Sequence, residues 1–161
     1  IVKEDQPHPP QILTSPEWKY GDRVMVERYV HGRELTCAVM GDVALGVTEI
    51  IPQGHQFYDY DSKYVAGGSN HVCPAEISPN IYQTITKLAL KAHQAFGCRG
   101  VTRSDFRYDD RFSPNGEVIW LEINTQPGMT ATSLVPELAE HAGHSFGELL
   151  SWMVEDASCL R

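Results

Sequence analysis

Apolar and polar residues alternate with a period of two along three early stretches of the chain, the mark of half-buried strands. Arg23–Val30 places Val24 and Val26 on one side and stops at the turn His31-Gly32, while Arg33–Met40 and Asp42–Ile51 continue, joined at Gly41-Asp42. Together these stretches predict a three-stranded antiparallel meander. Residues from Pro52 to about Pro74 are aromatic and Gly-rich without helical periodicity, a connection longer than compact domains normally use unless it serves function. From Ser78 the period changes. Ser78 is placed to cap, Pro79 suits the first turn, and Ile81, Ile85, Leu88, Ala89, Ala92 and Phe96 recur at helical spacing until Gly97 closes the helix. Two further alternating stretches flank the turn-forming segment Asp109–Gly116 and predict a hairpin of residues 101–108 and 118–124. Leu134–His141 and Phe146–Ala157 read as helices around Gly143-His144-Ser145. Residues 1–20, with Pro7, Pro9, Pro10 and Pro16, form an irregular lead-in, and residues 21–161 form one domain. The expected class is α+β, an antiparallel sheet with helices packed against it.

The second strand of the hairpin carries the candidate chemistry. Parity along Val118–Asn124 puts Glu122 and Asn124 on the face opposite Leu121 and Ile123, so two oxygen donors project together while the aliphatics turn to the core. Adjacent hard oxygen donors suit a hard cation such as magnesium. A turn centred near Ser113 sets Asp105 opposite or diagonal to Glu122 and brings Arg103 near Asn124. Three metal-type oxygens and one fixed cation then share a face. The same spacing also fits an acidic hairpin whose charges face solvent and pair with Arg103 and Arg107.

Composition narrows the function classes. With 161 residues, 42% hydrophobic and 21% charged, the chain matches an ordinary globular domain with a sizeable core, and no apolar run approaches the ~20 residues needed to span a bilayer. A formal charge of −8 argues against a nonspecific nucleic-acid binder, although placed cations still allow nucleotide phosphates to bind. Cys37, Cys73, Cys98 and Cys159 are scattered without zinc-finger spacing, which points to four reduced thiols in a cytoplasmic protein. His141 and His144 have no evident third ligand and read as surface residues. The chain starts at Ile1 without a signal-peptide pattern and reads as a piece of a longer polypeptide.

RSDFRYDD followed by LEINTQPGMTATSLVP resembles the carboxy-terminal signature of the ATP-grasp ligases, and within them the D-alanine:D-alanine ligase family. VERYVHGREL (26–35), TEII (48–51), FYDYDSKY (57–64) and the CPAEIS that follows a Gly-rich segment match in the right order, so the resemblance runs from about Val24 to the end. It implies the carboxy-terminal portion of an ATP-grasp fold, ATP as cofactor, and two magnesium or manganese ions held by Asp105, Glu122 and Asn124. Glu122 thereby also contacts the nucleotide. Arg103 is implied to stabilise the acyl phosphate and the oxyanion of the tetrahedral intermediate, Lys63 to reach the terminal phosphate, and Tyr64 to belong to a substrate-closing loop with Gly67 and Gly68 as hinge material. Glu27, Arg28 and Val30 match the strand end that reads adenine, Glu34 the acceptor of the ribose hydroxyls, and Phe57 and Tyr58 the adenine wall. Gly128 lies where a backbone N–H can approach the reacting carbonyl, and Ser133 is implied to hold the carboxylate of the second D-alanine. Each has a plainer reading: a cross-strand pair with Arg28 or Arg33 for Glu34, a salt bridge to Glu122 for Arg103, a helix cap for Ser133.

The activity implied is ATP-dependent joining of two D-alanines for peptidoglycan, by a cytoplasmic homodimer without nucleic-acid or membrane partners, of which this piece alone is inactive. D-alanine:D-lactate and D-alanine:D-serine ligases share nearly every motif. Tyr64, where depsipeptide-forming relatives tend to carry histidine, favours an amine acceptor. A non-catalytic interaction domain on the same scaffold is the alternative outside enzymes.

Overall fold

The computed structural model describes residue 2 and residues 10–52, 69–111, 113, 115–130 and 132–158. The chain divides into two compact units, Ile1–Val30 and His31–Arg161. In the first, a 3-10 turn spans Gln11–Thr14, and the Trp18 indole N–H donates to the Gly21 carbonyl. The strand expected over Arg23–Val30 does not form: these residues are outside every helix and strand, and Val24, Met25 and Val26 are all exposed. Alternation alone does not make a strand, which needs a ladder partner and a covered face.

The second unit holds strands β1 (Arg33–Met40), β2 (Val43–Pro52) and β3 (Ser69–Val72), helix α1 (Pro79–Ala95), strands β4 (Val101–Asp109) and β5 (Glu117–Asn124), and helices α2 (Leu134–His141) and α3 (Phe146–Asp156). The sheet order is β3-β2-β1-β4-β5 with every neighbour antiparallel. The expected α+β class is therefore what the chain adopts, but the meander is corrected at both ends. β4 occupies the edge of β1 along its whole length, and the outer partner of β2 is the short β3, inside the stretch read as a loop. Ser-Asn-His-Val is too short and too polar for alternation to reveal it. At the entry to β1, Gly32 has φ +97° and a Cβ there would collide with the Tyr108 carbonyl oxygen, so only glycine fits the approach to β4.

One sheet face buries Leu35, Cys37, Val39, Val47, Phe106 and Tyr108 against Ile81, Ile85 and Ala89 of α1. That helix starts where expected, with Ser78 Oγ accepting from Ile81 N at 3.4 Å and Pro79 in its first turn. Phe96, expected on the buried stripe, is 65% exposed because it lies past the last full turn, where it stacks on Trp120 with centroids 6.1 Å apart. Burial pushes the Cys37 thiol up to about 12, so it stays protonated. Cys37, Cys73 and Cys98 are free thiols, and Cys159 lies outside the described residues.

On the opposite face, Ala38, Leu45 and Val101 pack under Val135, Leu138 and Ala139 of α2 and Leu149 of α3. Ser145 caps α3 through a reciprocal box with Glu148. Among the described residues no helix is long and apolar enough to cross a membrane.

Candidate functional site

Beside that packed patch the same face turns polar. The β4–β5 register pairs Arg103 with Asn124 and Asp105 with Glu122, one residue on from the pairing that strict symmetry about Ser113 gives and that residues 106–109 keep with 117–120. The turn itself is closed by Gly116 N donating to Ser113 O at 2.9 Å. Between Asp105 and Phe106 the register shifts, because Leu121 is an extra residue on β5 opposite no partner. The bulge corrects one expectation: Leu121 is 41% exposed instead of buried, whereas Val118 and Trp120 join the core under α1. The bulge also inverts parity along β5, so Glu122 and Asn124, which would otherwise share the core-facing side of Val118 and Trp120, turn to the polar face with Asp105 and Arg103.

Asp105 is the centre of the cluster and only 8% exposed. Arg103 grips it with a two-pronged contact, Nε to Oδ1 and Nη2 to Oδ2, both 2.9 Å. Asn124 Nδ2 donates to Asp105 Oδ2 at 3.1 Å and to Glu122 Oε1 at 3.4 Å, so one amide bridges the two carboxylates. Thr36 Oγ1 on β1 donates to Asp105 Oδ1 at 2.7 Å. The plainer reading of Arg103 as a partner of Glu122 is replaced by its pairing with Asp105. Glu34 pairs with Arg107, directly across on β4, at 3.3 Å. Arg33 instead holds Glu49, with Nε to Oε1 at 2.7 Å.

Two carboxylates and an amide on adjacent strands fit a hard divalent cation by donor chemistry, since the amide can present its oxygen after a turn about its terminal torsion. Among the described residues no group of three or more His, Cys, Asp or Glu side chains stands at metal-holding distances, and the Asn124 amide is the further oxygen donor beside the two carboxylates. His141 and His144 are accordingly not part of such a group.

A second cluster lies after β5. Ser133 occupies the N-cap position of α2, yet its hydroxyl makes no cap bond. It accepts from Thr130 N at 3.0 Å and shares a hydrogen bond with Thr130 Oγ1 at 2.8 Å. A Cβ on Gly128 would stand 2.9 Å from Ser133 Oγ, so the loop and the helix start are fitted to each other around a glycine. Glu27 and Arg28 are exposed and Val30 is buried, all in the first unit. Phe57, Tyr58, Lys63, Tyr64, Gly67 and Gly68 lie outside the described residues.

Residue-level reasoning missed Thr36. Its signal was a hydroxyl inside the apolar run Leu35–Met40, at the parity that faces Asp105.

The family model described as D-ala D-ala ligase C-terminus matches residues 11–155. D-alanine–D-alanine ligase B of Mesorhizobium japonicum is 83% identical over 161 residues, all of this chain and 52% of that protein. Among solved structures, the D-alanine–D-alanine ligase of Bacillus anthracis in complex with ATP superposes with a TM-score of 0.66 at 26% identity, over 81% of this chain and 39% of that one. The D-Ala:D-Ser ligase VanG of Enterococcus faecalis gives 0.64 at 32% identity, over 79% and 36%. The chain spans about half the length of the curated relatives it matches. By sequence model, by identity and by fold, it belongs to the D-alanine–D-alanine ligase carboxy-terminal domain family.

Proposed function

We propose that the chain supplies the cation-holding and anion-stabilising half of an ATP-dependent ligase that joins two D-alanines into the dipeptide used for peptidoglycan. The observation that carries the reading is the Asp105, Glu122, Asn124 and Arg103 cluster on one face of the β4–β5 hairpin. In this reaction the γ-phosphoryl group of ATP passes to a carboxylate oxygen of the first D-alanine and ADP leaves. The amine of the second D-alanine then attacks the carbonyl carbon, loses a proton, and phosphate departs as the C–N bond is completed. Both steps gather negative charge on oxygen, and catalysis there is chiefly positioning and electrostatic stabilisation.

Asp105, Glu122 and Asn124 would hold magnesium or manganese, two ions in the complete site. Bound there, the metal neutralises phosphate charge. Arg103 is permanently charged and planar, suited to the acyl phosphate and the oxyanion that follows. Ser133 and the start of α2 would receive the acceptor carboxylate, with the Gly128 backbone beside the reacting carbonyl. Glu27, Arg28, Val30, Glu34, Phe57 and Tyr58 would bind adenine and ribose, while Lys63 and Tyr64 would meet the terminal phosphate and close over the substrates. The reading carries with it a cytoplasmic location and a homodimeric whole enzyme. The likeness to VanG keeps D-serine as the rival acceptor.

Glu122→Gln in the full-length protein should lower dipeptide formation about 100-fold or more while leaving the fold intact. Unchanged turnover would refute the assignment. Comparing D-alanine, D-serine and D-lactate as acceptors for the unmodified enzyme separates the ligase types.

A further inference from the structure

One cross-strand row on the polar face runs Thr48, Thr36, Asp105 and Glu122 through β2, β1, β4 and β5. Thr36 and Thr48 are both fully buried, in places where valine would supply the same volume without a hydroxyl to desolvate. They differ in what that hydroxyl does. Thr36 Oγ1 stands 2.7 Å from Asp105 Oδ1, whereas Thr48 Oγ1 makes no bond to the carboxylate cluster and has the Cys73 thiol beside it. Thr36 Oγ1 also lies 3.2 Å from the Ser104 carbonyl oxygen. A hydroxyl has one hydrogen, and the shorter contact to the ionised acceptor takes it.

Each Asp105 oxygen therefore accepts two hydrogen bonds, Oδ1 from Arg103 and Thr36 and Oδ2 from Arg103 and Asn124. A carboxylate offers about four lone-pair sites, so a cation taken up by Asp105 must displace or share one of these donors. Arg103 and Asn124 are only partly buried, on flexible or rotatable side chains. Thr36 is β-branched, sealed between β2 and β4, and stiff at χ1. It is the donor that stays.

We propose that Thr36 is a positioning residue for the cation site: its hydroxyl fixes the Asp105 carboxylate in the orientation that presents Oδ2 towards Asn124 and Glu122. The inference rests on Asp105 being a cation ligand. Groups that hydrogen-bond a metal-binding carboxylate typically set metal affinity by 10–100-fold.

The test is a titration of the full-length enzyme with Mn2+ alone, read by loss of the free-ion EPR signal, together with the Mn2+ dependence of turnover. Thr36→Val should raise the Mn2+ concentration at half-saturation about 10-fold or more, and Thr36→Ser should restore it. Thr48→Val, the same change one strand away, should leave it unchanged. Should Thr36→Val fail to fold, Thr36→Cys keeps the volume with only a weak donor and should give the same direction. Equal Mn2+ uptake by the unmodified protein and the Thr36 variants would overturn the role of Thr36. No uptake by the unmodified protein, or uptake that survives Asp105→Asn, would overturn the cation reading beneath it. A lowered melting temperature without a shifted midpoint would mark Thr36 as purely structural.

Discussion

The two faces of one sheet are built for different ends. Under α1 the face is a dry aliphatic and aromatic layer, with Leu35, Cys37, Val39 and Phe106 meeting Ile81, Ile85 and Ala89. Across the same strands, the positions between those residues hold Glu34, Thr36, Arg103, Asp105 and Arg107, and α2 and α3 pack on the end near Ala38 and Val101. Thr36 is as inaccessible as Leu35, and Asp105 nearly so. Removing such groups from water costs free energy that their mutual hydrogen bonds only offset, and a buried ion pair is weak evidence for stability. The apolar face accounts for the fold; the polar face is explained by what it can hold.

That division fails or sharpens under substitution. The largest effect on stability should come from Phe106→Ala, a fully buried aromatic beneath α1, which should lower the unfolding free energy of the full-length protein by about 3–5 kcal/mol in chemical denaturation. A loss near zero would show that the dry face does not hold the sheet. A smaller effect is expected from pH. His93 of α1 is buried against Thr102, Nδ1 to Oγ1 2.8 Å, and burial lowers its pKa despite opposing contributions from Asp42 and the Cys98 backbone. Because the folded protein resists protonating this ring, its contribution to stability is complete above the unfolded value of ~6.5 and is lost as pH falls through the lowered folded value. The slope should not exceed ~1.4 kcal/mol per pH unit, and His93→Leu should remove it from denaturation curves taken between neutral and acid pH. The smallest effect is expected from Glu122→Gln, an exposed change that should alter stability by no more than about 0.5 kcal/mol even as activity collapses. A large loss of stability there would merge the two roles that this account assigns to separate faces.

What could be read from the sequence follows the same split. The nearness of Asp105 and Glu122, opposite or diagonal, was legible because the turn around Ser113 is nearly symmetric, but the direct pairing is set by the bulge. α1 was legible because Ser78, Pro79 and the Ile81–Ala89 stripe agree with one another. Leu121 was not, since a bulge adds a residue without changing composition. Residues 23–30 showed the alternation of a strand, but pairing depends on which segment wins the edge of β1, and β4 offers a full-length ladder. β3 was hidden by its brevity. Thr36 was missed because a hydroxyl in an apolar run signals chemistry only once the strand opposite it is known. The proposed roles of Arg103, Ser133 and Gly128 rest on family resemblance, since spacing alone fits several arrangements.

The most direct measurement is anomalous diffraction from crystals of the full-length enzyme grown with Mn2+ and nucleotide. The account expects a manganese peak within coordination distance of the Asp105 and Glu122 carboxylates, with Asn124 turned to present its oxygen. Manganese bound elsewhere while Arg103 still grips Asp105 and Asn124 still bridges the carboxylates would contradict it.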